Sequence, residues 1–248
     1  MGIFNFRHKN EAITSDYTDF YNIDLHSHLI PGVDDGSTST RESLEIISSL
    51  KSMGLKKIIV TPHVSVFYPN SPEKIRAAFE QLKNKVAENN IDIEMDVAAE
   101  YMVDDGFRNI FESGNLMTFG KNYVLLELST YSPFPGLSDL IFEMQTNGYN
   151  IILAHPERYL YWENEFENYG KLKDRELFFQ LNILSLTKIY SPEIHNMAVK
   201  LIKHGMIDFI GSDIHSLEYI PKIKDTLTNK FFQKLADTGQ IKNNQLLV

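Results

Sequence analysis

The chain has 248 residues, of which 43% are hydrophobic, and this is enough apolar material for one substantial core or two small ones. It contains no cysteine, which excludes disulfides and thiolate-bound zinc, so any metal would be bound by His, Asp or Glu. The formal net charge of −9 disfavours general nucleic-acid binding, because basic side chains supply most of the non-specific affinity for phosphate.

The first residues of the chain carry no sign of a membrane or export segment. Met1 to Asn10 has no apolar core of signal-peptide length, and no run of about 18 apolar residues follows. We therefore expect no membrane insertion and a cytoplasmic location. Residues 1–20 are polar with scattered aromatic side chains, and we interpret them as an N-terminal extension that precedes a single domain over 21–248.

From residue 21 onward, strand and helix patterns alternate. The apolar runs predict seven strands, at about 22–26, 57–61, 93–98, 123–128, 150–154, 178–182 and 208–211. Helical spacing predicts a helix from Ser37 or Thr38 to about Met53, a second over 72–89 after Ser71, a short one within 136–148, another over 192–205, and a final helix with a tail. This alternation is typical of parallel strands with right-handed crossovers, either as a closed or nearly closed barrel, which we favour, or as an open doubly wound sheet.

Side chains that bind metals recur where these strands end. His26 and His28 alternate along the first strand and can therefore face one point. The strand-end set is His26, His28, His63, Glu100, Glu127, His155, Asp213 and His215. The carboxyl ends of strands in α/β barrels converge, and active sites form there. Taken singly, each residue has an ordinary explanation, but together they predict a site for manganese, iron, zinc or magnesium. We interpret the other histidines, His8, His195 and His204, as ordinary surface or partly buried residues.

Several segments resemble the polymerase-and-histidinol-phosphatase (PHP) superfamily. They are DLHSHLIPGVDDG at 24–36, TPH at 61–63, AE at 99–100, AHPERY at 154–159 and SDIH at 212–215. Within that superfamily the chain is most similar to the bacterial protein-tyrosine phosphatases of capsule and exopolysaccharide synthesis. The resemblance covers about residues 21 to 220, which is nearly all of the predicted barrel.

The resemblance implies a distorted seven-stranded (β/α)7 TIM-like barrel that holds three divalent metal ions, most commonly manganese. The first ion would be bound by His26, His28, Glu100 and Asp213, the second by Asp35, His63 and His215, and the third by Glu127, His155 and a bridging Glu100. Motif position selects Asp35 over Asp34, a choice that residue chemistry alone leaves open. The resemblance also implies that Arg158 is the catalytic residue that grips the phosphate.

The implied activity is hydrolysis of phosphotyrosine by a metal-bridging hydroxide, on a protein partner such as a bacterial tyrosine kinase of polysaccharide synthesis. The absence of cysteine excludes the thiolate mechanism of other tyrosine phosphatases. Aromatic residues that follow strand ends, among them Phe67, Tyr68 and Tyr159, would either contact a phenyl ring or only pack the rim. Related phosphatases carry a second arginine after the final motif, whereas this chain has Lys222 nearby, which either substitutes for that arginine in part or leaves phosphate binding weaker or differently organised.

Three alternatives remain from the sequence. The chain could hydrolyse a small phosphomonoester of the histidinol-phosphate type, or it could be a PHP-type phosphodiesterase or nuclease, which its acidic charge disfavours. It could also be a metal-binding regulatory module without catalysis, although the complete set of ligand residues argues against this. The sequence leaves homo-oligomerisation open.

Overall fold

The computed structural model describes residues 20–247, so the predicted N-terminal extension lies almost entirely outside the described residues. Nine strands occur in this part of the chain: β1 Ile23–Asp24, β2 Lys57–Val60, β3 His63–Val64, β4 Glu94–Val97, β5 Glu100–Met102, β6 Tyr123–Glu127, β7 Asn150–Ala154, β8 Phe178–Asn182 and β9 Phe209–Gly211. Its α-helices are α1 Thr40–Ser52, α2 Pro72–Glu88, α3 Phe107–Glu112, α4 Leu137–Thr146, α5 Glu167–Asp174, α6 Pro192–Lys203, α7 Ile220–Leu227 and α8 Lys230–Asp237.

All seven predicted strands are present, and β7 and β8 have the predicted bounds. The two additional strands, β3 and β5, each follow a predicted strand after a short break. Pro62 lies in the first break, and because proline has no backbone N–H it interrupts the hydrogen-bond ladder there. Helices α3 and α5 were not predicted, because they are short and lack a long apolar period.

The predicted cap of the first helix was wrong by one or two residues. Ser39 is the N-cap, because its extended backbone lets its side chain accept a hydrogen bond from the Glu42 N–H. The Ser37 hydroxyl instead pairs with the hydroxyl of Ser43, 2.9 Å away. The prediction for the second helix is confirmed, since the Ser71 side chain accepts from the Lys74 N–H at the start of α2.

The strands form two parallel sheets, one in the order β1-β2-β4 and the other in the order β3-β5-β6-β7-β8-β9. The two sheets are also joined at both sides. On one side the chain itself runs from β2 into β3 and from β4 into β5, and on the other side the Asp213 N–H donates to the His26 carbonyl at 2.8 Å. The carboxyl ends of all these strands therefore meet at one end of the molecule.

Alternate residues of the strands pack into two apolar clusters. Ile58 and Val60 face the larger one, in which the strands pack against the helices. Ile59 faces a smaller cluster that also contains Leu125 and Ile152, so strands of both sheets contribute to it. No α-helix within residues 20–247 is long and apolar enough to cross a membrane.

Candidate metal centre

His26 and His28 follow β1, and their imidazoles converge. Their Nε2 atoms are 3.2 Å apart, and both side chains are fully buried. Asp213 Oδ1 lies 3.3 Å from Nε2 of His26 and 3.2 Å from Nε2 of His28. Glu100 Oε2 lies 3.2 and 3.5 Å from the same two atoms. Four ligand-type groups thus surround one small space without a basic side chain between them, which is the donor set of a divalent cation.

The buried carboxylate of Glu100 is the centre of the site. Its Oε2 lies 3.0 Å from His63 Nδ1, and its Oε1 lies 3.2 Å from His155 Nε2. The Oε2 atom has no hydrogen-bond partner among the described residues, and the same holds for Oε2 of Glu127. Buried carboxylate oxygens without a donor are costly, and a bound cation would remove that cost.

The side chains fall into three groups whose ligand atoms lie within 4.8 Å of one another. The groups are His26, His28, Glu100 and Asp213; His28, Asp35, His63 and His215; and His63, Glu100 and Glu127. His155 adjoins the third group, since its Nε2 is 3.4 Å from Glu127 Oε1. All nine predicted ligands therefore lie in one connected cluster, in which His28, His63 and Glu100 each belong to two groups.

Asp34 and Asp35 have different environments. Asp34 accepts hydrogen bonds from His28 Nδ1 at 2.8 Å and from the His63 N–H at 3.0 Å. It therefore orients two predicted ligands and turns the Nε2 of His28 toward the cluster. The carboxylate of Asp35 is about half exposed and lies 3.6 Å from Nε2 of both His63 and His215.

Backbone geometry at the strand ends places two of these side chains. His155 follows β7 with a φ of 31°, and Asp213 follows β9 with a φ of 51°. A left-handed backbone costs a non-glycine residue about 1 kcal/mol or more, and such strain concentrates at functional sites. Gly211 leaves room for this arrangement, because a Cβ atom there would lie 2.7 Å from the Cβ of His26.

The buried amides of β8 belong to the site but were not predicted from the sequence. Gln180 Oε1 is 2.8 Å from His26 Nδ1, and Asn182 Nδ2 donates to Asp213 Oδ2 at 3.0 Å. Both amides therefore orient a predicted ligand. A signal was available, because Gln180 and Asn182 alternate with apolar residues along a strand and must share one of its faces.

Arg158 lies beside the cluster on a 3-10 helix, Pro156–Arg158. Its Nη2 donates to Asp213 Oδ2 at 2.6 Å, and its guanidinium packs on the Tyr190 ring at 4.5 Å. Its Nε has no hydrogen-bond partner among the described residues. With Asp35, Asp213 and His215 it lines a cavity of about 480 Å³, so a planar donor borders the cluster where an anion could enter.

The three aromatic residues predicted to contact substrate differ in exposure. The Phe67 side chain is 86% exposed, and the Tyr68 ring stacks on His63 at a centroid distance of 5.6 Å. The prediction for Tyr159 was wrong, because this residue is fully buried. Its hydroxyl donates to the Ala154 carbonyl and accepts from the Leu128 N–H, so it braces two strand ends and cannot reach a substrate.

The histidines predicted to be ordinary lie away from the cluster where the structure describes them. His195 lies on α6, where its Nδ1 is 3.3 Å from the Ser185 carbonyl, and His204 is exposed at the end of that helix. His8 lies outside the described residues. Lys222 is exposed, and its ammonium lies 5.1 Å from the centre of the Tyr219 ring, which lines the cavity beside Arg158.

Close packing of like and unlike charges shifts the pKa values of the cluster. Burial and the neighbouring Glu100 raise the pKa of Glu127 to about 8. Burial and the charge of Arg158 lower the pKa of His155 to about 4. Burial alone would lower the pKa of His26, but the carboxylates of Glu100 and Asp213 outweigh it and raise this pKa to about 9.

A family model described as "Capsular polysaccharide synthesis, CpsB/CapC" matches residues 22–247. The chain is similar to tyrosine-protein phosphatase CpsB of Streptococcus pneumoniae, with 25% identity over 241 residues, 91% of this chain and 98% of that protein. It is also similar to tyrosine-protein phosphatase YwqE of Bacillus subtilis (strain 168), with 25% identity over 199 residues, 79% of this chain and 78% of that protein.

A solved structure shares the fold. It belongs to a study of YwqE from Bacillus subtilis and CpsB from Streptococcus pneumoniae, described as unique metal-dependent tyrosine phosphatases. The TM-score is 0.80 at 23% identity, over 91% of this chain and 94% of the other. At that identity, the likeness establishes the fold.

Proposed function

The chain belongs to the CpsB/CapC family of capsular polysaccharide synthesis, and from this membership we propose that it is a metal-dependent protein-tyrosine phosphatase. One observation carries the proposal beyond the family: Glu100 is buried among four imidazoles, and its Oε2 makes no hydrogen bond to any of them. That environment suits bound cations better than a solvent-filled or purely structural site.

We propose that the nine predicted ligands hold three divalent ions, with manganese preferred over iron, zinc and magnesium. The donor set fits this assignment, because it consists entirely of imidazole and carboxylate groups. Three members of the cluster, His28, His63 and Glu100, each belong to two groups, and the Glu100 carboxylate would be the ligand that two ions share. When bound, such ions supply a hydroxide near neutral pH and neutralise charge on phosphoryl oxygens.

Arg158 is proposed to hold the phosphate. Its guanidinium borders both the cluster and an open cavity, so its planar donors can bind phosphoryl oxygens while its Nη2 stays close to Asp213. Gln180 and Asn182 keep His26 and Asp213 in their observed orientations. The sequence offers no cysteine for a covalent phosphoryl intermediate.

The proposed partner is a phosphotyrosine-bearing protein, in particular a tyrosine kinase of capsular or exopolysaccharide synthesis. The family description and the names of the relatives support this choice. A cytoplasmic location is proposed with it, because a kinase that uses ATP forms phosphotyrosine in that compartment. Nucleic acid is not proposed as a substrate, since the net charge of −9 opposes its approach.

The finer architecture is proposed as one distorted seven-stranded barrel in a single domain over 21–248. Hydrogen bonds between the two sheets support it, as does the smaller apolar cluster to which strands of both sheets contribute. The short strands β3 and β5 would then be continuations of β2 and β4 beyond the breaks at residues 61–62 and 98–99.

The test combines metal analysis with substrate comparison. Freshly purified protein is analysed for bound metals, and kcat/KM is measured for a phosphotyrosine peptide, histidinol phosphate and single-stranded DNA, with and without a chelator. We expect the phosphotyrosine peptide to be preferred and all activity to disappear with chelator. Preference for histidinol phosphate or cleavage of DNA would replace the proposal with the corresponding alternative, and the absence of any hydrolysis with metals bound would favour a regulatory module.

A further inference from the structure

A second cavity borders the metal cluster. Unlike the cavity beside Arg158, it is lined mainly by apolar and aromatic side chains. It has a volume of about 560 Å³ and is lined by Phe67, Tyr68, Tyr131 and Phe134, together with the predicted ligands His63 and Glu127. We call it the aromatic cavity. Its size is within the usual range of small-ligand sites, and it joins apolar walls directly to the cluster.

Exposed apolar side chains are concentrated around this cavity. Among the described residues the large hydrophobic side chains with high exposure are Val66, Phe67, Tyr131, Phe142 and Leu247. Three of them, Val66, Phe67 and Tyr131, line the aromatic cavity, with exposures of 53%, 86% and 93%. Such clustering of exposed apolar surface at one concave place marks a binding site more often than scattered exposure does.

The loop that carries Phe67 is held firmly, although its ring is exposed. The Ser65 hydroxyl accepts from the N–H groups of Phe67 and Tyr68, at 3.2 and 3.1 Å. Asp104 Oδ2 accepts from the Val66 N–H at 2.8 Å and so ties the loop to the segment after β5. The ring is therefore presented on a fixed turn, which lowers the entropic cost of binding against it.

Apart from Arg158, the charged side chains that line the two cavities are carboxylates. Asp104 and Asp105 line the aromatic cavity, and among its described lining residues none is Lys or Arg. Glu42 and Glu218 line the cavity beside Arg158. A bound phosphate would contact Arg158 and the metals. The substrate residues on either side of the phosphotyrosine would lie near carboxylates, so acidic residues at those positions would be repelled.

We propose that the aromatic cavity binds the phosphotyrosine ring between Phe67 and Tyr131, and that it selects peptides whose flanking residues are neutral or basic. The inference rests on the proposed phosphatase function and deepens it by naming the residues that contact the substrate ring and the charge of the flanking residues that are accepted. Aromatic rings supply the contact for a phenyl group, and Asp104 and Asp105 supply the discrimination against acidic flanks.

The ring contact is tested with Phe67→Ala and Tyr131→Ala. Phe142→Ala is the matched control, because Phe142 is 67% exposed on α4 and does not line the cavity. We expect kcat/KM for a phosphotyrosine peptide to fall roughly three- to tenfold in each cavity variant, the range of one aromatic contact. Hydrolysis of a non-aromatic phosphomonoester, metal content and melting temperature should match wild type.

The charge selection is tested with three phosphotyrosine peptides that differ only in flanking Lys, Ser or Glu residues. We expect kcat/KM to fall in that order, and the difference between Lys and Glu peptides to shrink at high salt and in Asp105→Asn. Asp139→Asn, a change at an exposed residue of α4 that does not line the cavity, should leave the order unchanged.

The outcomes separate this inference from the function on which it rests. If wild type with bound metal hydrolyses no aryl phosphate, the phosphatase proposal fails. If wild type is active but Phe67→Ala and Tyr131→Ala retain wild-type kcat/KM for the phosphotyrosine peptide, the ring site fails while the function stands. If Glu-flanked peptides are hydrolysed as well as Lys-flanked ones, the charge selection is overturned.

Discussion

The two ends of strand β9 each carry a largely buried aspartate, and their surroundings differ in charge. Asp208 precedes the strand and accepts hydrogen bonds from the ammonium groups of Lys173 and Lys242, so its charge is compensated by permanent cations. Asp213 follows the strand and meets one arginine, Arg158, together with His26 and His28. The first end is an ion pair cluster within the fold, and the second has the surplus of carboxylates that a metal site requires.

The largest effect should come from removing the charge of one aspartate while keeping its shape. Asp213→Asn is expected to lose bound metal and to lower phosphatase kcat/KM more than about 100-fold, beyond the usual effect of residues that only orient a ligand. Asp208→Asn should keep both properties. Metal analysis and steady-state kinetics on both variants decide this, and full metal content in Asp213→Asn would remove that residue from the ligand set.

Arg158 is the permanent cation at the second end, and its loss should separate phosphate binding from metal binding. Arg158→Ala is expected to lower kcat/KM about 100-fold, the usual cost of one charged donor to the reacting group, with unchanged metal content. Arg108→Ala, which removes an exposed arginine paired with Glu143, is the control. Activity equal to that of the control would exclude Arg158 from the reaction.

Protons should compete with metals at the Asp213 end of β9 and not at the Asp208 end. The pKa values of His26 and Glu127 are raised to about 9 and about 8, so at pH 7 both groups hold protons that a metal must displace. His155, with its pKa lowered to about 4, is already neutral and adds no proton. Metal affinity is therefore expected to rise with pH between about 7 and 9. Calorimetry of metal binding in buffers of different ionisation enthalpy should detect proton release, and its absence would contradict this assignment.

The smallest effect is expected at the Asp208 end of β9. Lys242→Met removes one of the two ammonium groups on Asp208 while Lys173 remains, so unfolding free energy should fall by about 1 kcal/mol without a change in activity. Urea denaturation measures the first quantity, and a phosphotyrosine assay measures the second. A loss of activity at unchanged stability would show that the two ends are coupled.

Local pattern was sufficient to predict seven of the nine described strands and most of the ligand cluster. The apolar run at 150–154 and the segment 178–182, in which Gln180 and Asn182 alternate with apolar residues, are strands of the same bounds in the structure. Helix α3, with six residues, is too short to produce a readable period and was missed. The cap at Ser39 depended on backbone angles that composition does not determine.

The sequence by itself determined which side chains stand at the strand ends and that thiolate chemistry is excluded, because these follow from periodicity and composition. Only the tertiary structure decided what each side chain contacts. It separated Asp34, which orients His28, from Asp35, which faces His63 and His215. It also showed that Tyr159 is buried and cannot contact a substrate, and that Phe67 lines the same cavity as Tyr131. These contacts join residues far apart in the chain, so they depend on how the strands and loops pack and not on local sequence.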